Sequence, residues 1–331
     1  MKKILLLFVI FSINAFSQSF VKYGNEFLKI GIGGRQLGMG NSGVAISKDV
    51  TGGFLNPSNL ANLSEAEIIL QHDERFGELI NFDYFALAYP YKNDFTLGLS
   101  VIRLGIDGIP DTRNALVDSD GNGVLDNYDR IDYDKVTYHN ASDWAFILSY
   151  AKKFSENIFY GANIKIIYRD LMSNNAFGIG FDIGLKYLPF NNFYTGACLN
   201  DVTTTYLAWN TGTKELIPPM LKLGAGYSLD IFNGILTPAI DFDFHFDGRK
   251  YASMTSIGSI GMDIHSGLEF LYKDIIALRL GYSEVKQLTL GAGIKIYRLN
   301  IDYAFAKFNS ENDLGNTHRI SLKLNLGNIS L

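Results

Sequence analysis

Near its C-terminal end the chain alternates. Leu288, Leu290, Ala292, Ile294 and Ile296 share one face of an extended segment, and Thr289, Gly291, Gly293 and Lys295 share the other. Leu299, Ile301, Tyr303 and Phe305 then oppose Asn300, Asp302, Ala304 and Ala306, and Ile320, Leu322, Leu324 and Leu326 oppose Ser321, Lys323 and Asn325. A period of two residues is the geometry of a strand with one apolar and one polar face. Earlier segments repeat it: Ile240, Phe242, Phe244 and Phe246 alternate with Asp241, Asp243 and His245, and Ile264, Leu268 and Phe270 oppose Asp263, His265 and Glu269. Such strands suit either a soluble sandwich with its apolar face inward or a membrane barrel with its apolar face toward lipid.

Length and connection pattern separate the two. About fourteen segments alternate, at 65–74, 80–90, 94–106, 142–152, 157–169, 176–188, 193–205, 218–231, 234–246, 259–272, 275–285, 286–297, 298–308 and 317–327. Most run near the ~9–11 residues that cross a membrane at a tilt, not the ~5–6 of a soluble strand. Every second connection is short: YKN near 92, FSEN near 155, FNN near 191, FNG near 233, KD near 273 and YR near 297. The alternate connections include the three longest expected loops, 107–141, 206–217 and 247–258. Short turns at one end and long loops at the other mark an outer-membrane barrel. The expected fold is all-β, a transmembrane antiparallel barrel of about fourteen strands over 65–331, sited in the bacterial outer membrane with lipid as its surroundings.

The ends and the composition agree. Lys2 and Lys3, the apolar stretch Ile4–Ile13 and small residues Ala15 and Ser17 read as a secretory signal peptide over 1–17. After it comes no apolar run long enough for a spanning helix. A single cysteine, Cys198, allows no internal disulfide. Loss of Lys2 and Lys3 moves the formal charge from -5 to -7, and no basic block occurs, which argues against nucleic acid as a partner. Tyr89, Tyr91, Phe193, Tyr194, Tyr272 and Tyr297 fall near strand ends, as an interfacial aromatic girdle requires.

Residues 18–64 do not alternate. Gly31, Gly33, Gly34, Gly38, Gly40 and Gly43 crowd the first half. No Lys-Ser/Thr pair and no βαβ context follow, so a phosphate loop is not indicated; glycines at this density let a chain pack closely against a surrounding wall. The stretch GGRQLGMGNSGVAISKDVTGGFLNPSNLANL resembles the N-terminal signature of the FadL-like superfamily of outer-membrane proteins, and within it is similar to the PorV/PorQ family. Gly33, Arg35, Leu37, Gly38, Met39, Gly40, Ala45, Asp49, Asn56, Pro57, Leu60 and Ala61 fill that pattern, while Ser58 stands where alanine is usual. IPPMLKLGAGY, 217–227, also looks like a family segment. The resemblance implies a hatch over 18–64 inside a fourteen-stranded barrel, and a non-catalytic role in type IX protein secretion or the surface attachment of cargo. The wider superfamily implies the alternative, a channel for hydrophobic small molecules with the hatch as gate.

In the 107–141 loop, VDSDGNGVLDNYDRID has the spacing of an EF-hand-type calcium loop. Asp118, Asp120 and Asn122 would be the first three ligands, Gly123 the turn, Val124 a carbonyl ligand, Asp126 a direct or water-borne ligand, and Asp129 the closing carboxylate. A structural Ca2+ would hold a surface excursion without helices or disulfides. The histidines His72, His139, His245, His265 and His318 form no close zinc-binding pair, and no G-x-S-x-G occurs, so no enzyme is indicated. Asp241, Asp243, His245, Asp263, His265 and Glu269 fall on the polar faces of neighbouring strands and are expected to line the lumen, which argues against a wholly apolar conduit.

Overall fold

The computed structural model describes residues 26–75, 79–92, 94–119, 121–123, 126–127, 129–248, 253–283, 287–307 and 316–327; the expected signal peptide lies outside them. Fourteen antiparallel strands close into one barrel. They are β1 (Ala66–Arg75), β2 (Ile80–Tyr91), β3 (Phe95–Asp111), β4 (Thr137–Ser155), β5 (Ile158–Leu171), β6 (Asn174–Tyr187), β7 (Phe193–Asn200, continued as Thr205–Trp209), β8 (Lys214–Ile217, Met220–Tyr227 and Leu229–Ile231), β9 (Gly234–His245), β10 (Ile260–Tyr272), β11 (Ile276–Ser283), β12 (Gln287–Ile296), β13 (Leu299–Lys307) and β14 (Thr317–Gly327). Closure is made by β1 on β14, with Leu70 opposite Leu322 and Gln71 opposite Ser321. A closed sheet leaves no edge strand and pairs its backbone internally, as a hydrocarbon surrounding demands.

The alternation sorts as a membrane barrel. Leu148, Ile183, Leu278 and Ile320 each expose more than half of their surface outward, and Leu97, Ile164, Phe177, Leu280 and Leu288 join them in an apolar belt. Their neighbours Ser149, Asp182, Arg279, Thr289, Arg319 and Ser321 are buried inside. A continuous apolar band of this extent calls for lipid. No described helix is long and apolar enough to cross a membrane; the strands do the crossing.

The short connections 156–157, 188–192, 232–233, 273–275 and 297–298 share one end of the barrel with both chain ends of the sheet. Short turns mark the periplasmic end of an outer-membrane barrel, and the longer connections mark its exterior end. Two expected loops are shorter than the alternation suggests. The strands flanking 107–141 run on, pairing Asp111 with Thr137 past a bulge between Ile106 and Ile109, so the excursion is 112–136. The segment 206–217 is not an open loop: β7 and β8 continue as a hairpin in which Thr205 pairs Ile217 and Ala208 pairs Lys214.

Inside the lumen runs the segment from Glu26 to the start of β1. It forms a 3-10 turn (Glu26–Ile30), the helical turns α1 (Gly34–Gly38) and α2 (Gly52–Leu55), and a 3-10 segment (Pro57–Asn62). Pro57 suits the first position of that last segment because it lacks the N–H that would go unpaired there. Phe27, Ile32, Val50 and Leu60 of this hatch bury themselves against Ile69, Phe82, Tyr84, Ile102, Ile147 and Ile167 of the wall.

Candidate functional site

The hatch meets the wall along two seams. Against β3–β6 the contact is apolar and backbone-close. Leu60 is fully buried. Gly161 faces Pro57 so closely that a Cβ there would lie 2.5 Å from the Pro57 carbonyl carbon. Asn163 Nδ2 donates to the Gly53 carbonyl at 2.9 Å. Asn56 Nδ2 donates to Val44 O at 3.0 Å and Leu185 O at 3.2 Å, and its Oδ1 accepts from the Ser58 hydroxyl at 2.7 Å. Ser58, the departure from alanine, thus supplies the donor that orients Asn56.

Against β9–β14 the contact is charged. Arg35 Nε and Nη2 each donate to Glu269 at 2.8 Å. Glu269 also accepts from Arg279 Nε at 2.6 Å, and Arg279 Nη1 reaches Asp302 at 2.7 Å. Asp241 Oδ2 accepts from the amides of Gly43 at 2.7 Å and Val44 at 2.8 Å. His265 Nδ1 lies 3.0 Å from the Gly40 carbonyl, and the Gly34 amide donates to Ser321 Oγ at 3.0 Å. Lys323 lies 3.4 Å from Asp49. Burial would raise the Asp49 carboxyl, but Lys323, Arg35 and the Thr51 hydroxyl and amide together hold it below the ordinary carboxylate value. Arg319, wholly buried, pairs Asp73 at 2.7 Å and reaches the Ile30 and Gly33 carbonyls. These are charge-assisted bonds in a shielded setting, the strong class.

Two cavities flank the hatch. One, of about 250 Å³, opens toward the short-turn end between the hatch and β9–β14, lined by Arg35, Lys48, Asp49, Asp302, Lys323 and neighbours. The other, of about 110 Å³, lies on the exterior side beside the long-loop ends of β7–β10. Its walls mix apolar Phe54, Leu55, Ile217, Met220 and Phe246 with charged Lys165, Asp243, His245 and Asp263. Lys165 Nζ is held by Asp182 at 2.7 Å and Asp201 at 2.6 Å, and His245 Nε2 lies 2.8 Å from Asp263. Here the wall itself is interrupted, at 201–204 in β7 and at Pro218 and Pro219 in β8.

Of the sequence-derived lumen residues, Asp241, Asp243, His245, Asp263, His265 and Glu269 are all buried inside the barrel. Arg35, Gly38, Met39, Gly40 and Asp49 of the hatch motif touch or face the charged seam, while Asn56 and Pro57 face β5 and β6. Gly33 donates its N–H to Gln71 Oε1 at 2.5 Å. Tyr194 departs from the girdle: it turns into the lumen, where Lys48 donates to its hydroxyl at 3.1 Å. Its neighbour Phe193 takes the outward place, stacked on Phe190, since adjacent strand residues cannot share a face. The Lys165–Asp182–Asp201 cluster, the Arg319–Asp73 pair and the wall glycines opposite the hatch had gone unnoticed in the sequence. The last carried a readable signal: Gly161, Gly184, Gly196, Gly224, Gly267, Gly281 and Gly291 all fall on the inward parity of their strands.

Of the expected calcium ligands, Asp120 and Val124 lie outside the described residues. Asp118 accepts from the amides of Gly121 at 2.6 Å and Gly123 at 2.7 Å. Asp129 accepts from the amide of Ser119 at 2.7 Å, and Asn122 donates to Asp126 at 3.1 Å. Among the described residues no cluster of three or more His, Cys, Asp or Glu is placed to hold a metal.

No family model matches the sequence, and no curated protein matches it. Solved structures do match the fold. The toluene transporter TodX of P. putida aligns with a TM-score of 0.62 at 11% identity, covering 90% of this chain and 99% of that one. The toluene transporter TbuX of Ralstonia pickettii aligns at 0.56 and 14%, covering 89% and 98%. A FadL homologue of Pseudomonas aeruginosa aligns at 0.54 and 12%, covering 88% and 97%. At such identities the likeness is one of architecture, and the chain is a transmembrane barrel of the outer-membrane type whose fold is similar to that of FadL-type channels.

Proposed function

We propose that this protein is an outer-membrane channel for small, largely apolar molecules, with residues 26–65 as its gate. The observation that carries this is the arrangement across the hatch: a small mixed-polarity cavity above it, a second cavity below it, and a hatch held on one flank by ion pairs whose members Arg35, Asp49, Glu269 and Lys323 line that second cavity. The shared fold with a toluene transporter supports the same reading. No catalytic constellation is proposed, and the lumen acids and histidines act as hatch anchors and cavity lining.

A second reading, a PorV/PorQ-type role in type IX secretion or cargo attachment, is favoured by the hatch motif Gly33-x-Arg35-x-Leu37-Gly38-Met39-Gly40 and by the large surface excursion 112–136. Calcium in that excursion belongs to either reading: the Gly123 amide folds back on Asp118 in the sense a calcium loop needs. Deleting the gene separates the two. Slower uptake of small aromatics with an unchanged set of secreted proteins is the expected outcome; normal uptake with lost secretion would hand the protein to the secretion machinery.

A further inference from the structure

The exterior cavity is less greasy than a hydrocarbon site should be. Three acceptor oxygens, Asn41 Oδ1 of the hatch, Asn200 Oδ1 of β7 and Asp243 Oδ1 of β9, belong to residues that line it. Each is shielded from solvent and has no hydrogen-bond partner among the described residues. Asp243 is only 6% exposed. Its other oxygen is taken: Lys222 lies 2.8 Å from Oδ2, and His265 Nε2 lies 3.4 Å from it. A buried acceptor left unpaired is costly, and a ligand that brings a donor removes that cost. An analogue of the same shape without the donor does not, which is how a polar site rejects an apolar isostere.

Charge narrows the choice. Glu26, Asp182, Asp201, Asp243, Asp247 and Asp263 line the cavity against Lys29, Lys165 and Lys222, with His245 and His265 each beside one of the carboxylates. Lys165 and Lys222 are already paired with wall carboxylates. An incoming carboxylate finds an excess of its own sign, whereas an ammonium or hydroxyl finds acceptors. Phe54, Leu55, Ile217 and Met220 complete an apolar side. The volume, about 110 Å³, is of the order of the ~150 Å³ engineered cavity that takes up benzene.

We infer that this cavity binds single-ring or short-chain molecules carrying a hydrogen-bond donor, amines and alcohols rather than hydrocarbons or carboxylates, with the donor directed at Asp243, Asn200 and Asn41. The inference rests on the channel reading and specifies its cargo.

The test is calorimetric titration of the whole protein in lipid nanodiscs with four probes of one shape: benzylamine, benzyl alcohol, toluene and benzoate. Benzylamine and benzyl alcohol are expected to bind at least tenfold more tightly than toluene, with benzoate weakest. Asp243→Asn should abolish the advantage of benzylamine over benzyl alcohol, and Asn200→Leu should narrow the gap between benzyl alcohol and toluene. Heat-modifiable gel migration identifies which variants have folded, and either one suffices. Toluene binding as tightly as benzylamine, or a folded variant that keeps the wild-type differences in affinity between the probes, overturns the inference. Flux of the same probes into proteoliposomes separates the two readings. The expected binding order without flux sinks the channel and leaves the cavity's preference standing; flux without the order does the reverse.

Discussion

The two flanks of the hatch are built from different chemistry. Toward β3–β6 the hatch presents Leu60, Pro57 and the backbone of Gly53 to a wall of Ile102, Ile147, Gly98, Gly161 and Gly184. Toward β9–β14 it presents Arg35, Asp49 and the amides of Gly43 and Val44 to Glu269, Lys323 and Asp241. The first flank is held chiefly by burial and close fit, with the Asn56 and Asn163 amides donating to carbonyls across it. The second is held by polar partners, of which Arg35, Asp49, Glu269 and Lys323 line a cavity of about 250 Å³, while Asp241 is shielded from it. The difference teaches where a plug of this kind should yield on the proposed gating role: the polar flank is the one expected to open and the apolar flank the one expected to serve as the hinge.

The sharpest way to break this comparison is to cut into the hinge. Leu60→Ala removes a fully buried side chain from a cluster whose backbone is pinned by Asn56 and Asn163. Little collapse can follow, so the loss should fall in the ~2–5 kcal/mol range of large-to-small core changes. Read as a lowered unfolding temperature of the folded band on gels, it should be the largest single effect on stability. Ion leak through proteoliposomes should stay near the wild-type level, because the polar flank is untouched. A leaky but fully stable Leu60→Ala protein would put the hinge on the wrong side.

Much of this frame was legible in the sequence. The fourteen alternating segments lie within a few residues of the observed strands along most of the chain, because lipid outside and polar groups inside impose period two on every strand. The pattern failed where that rule is locally suspended. At 201–204 Asp201 and Thr204 adopt positive φ, a conformation only weakly written in residue type, and β7 breaks there before resuming toward its hairpin. Tyr194 was misread because two adjacent aromatics signal an interface equally well from either face. The pairing of the hatch anchors could not be read: Arg35 and Glu269 are 234 residues apart, and only closure of the barrel brings them together. What the sequence did mark was Arg35 and Glu269 separately, one as a hatch-motif position and the other on the polar face of its strand.

Arg35→Met sharpens the comparison from the other flank. The methionine keeps much of the aliphatic stem but removes two charge-assisted bonds, worth roughly 1–3 kcal/mol in all because Glu269 retains Arg279. That partner is why the cost stays below that of stranding a buried charge. Stability should therefore fall less than in Leu60→Ala, while leak of small ions should rise several-fold. If the two variants exchange these signatures, the assignment of hinge and opening flank is reversed.

The smallest effect belongs to the exterior, where the same polar vocabulary is used without burial. In the 112–136 excursion Asp118 gathers the amides of Gly121 and Gly123, and Asp129 that of Ser119. Each such bond, exposed to water, is worth at most about 1 kcal/mol. Asp118→Ala should leave the unfolding temperature of the barrel and its leak unchanged. What should change is local: proteolytic cleavage of the loop on intact cells should quicken several-fold, and added calcium should slow cleavage of the wild type but not of the variant. Calcium binding is favoured over a self-satisfied turn only if the wild-type protection disappears on chelation and returns with the metal, since amide bonds to Asp118 persist in its absence. Equal cleavage of wild type and variant in all conditions would mean that the acidic run is held by neither device and that the excursion takes its shape from its strand ends at Asp111 and Thr137 and from the pairing of Leu116 with Ile131.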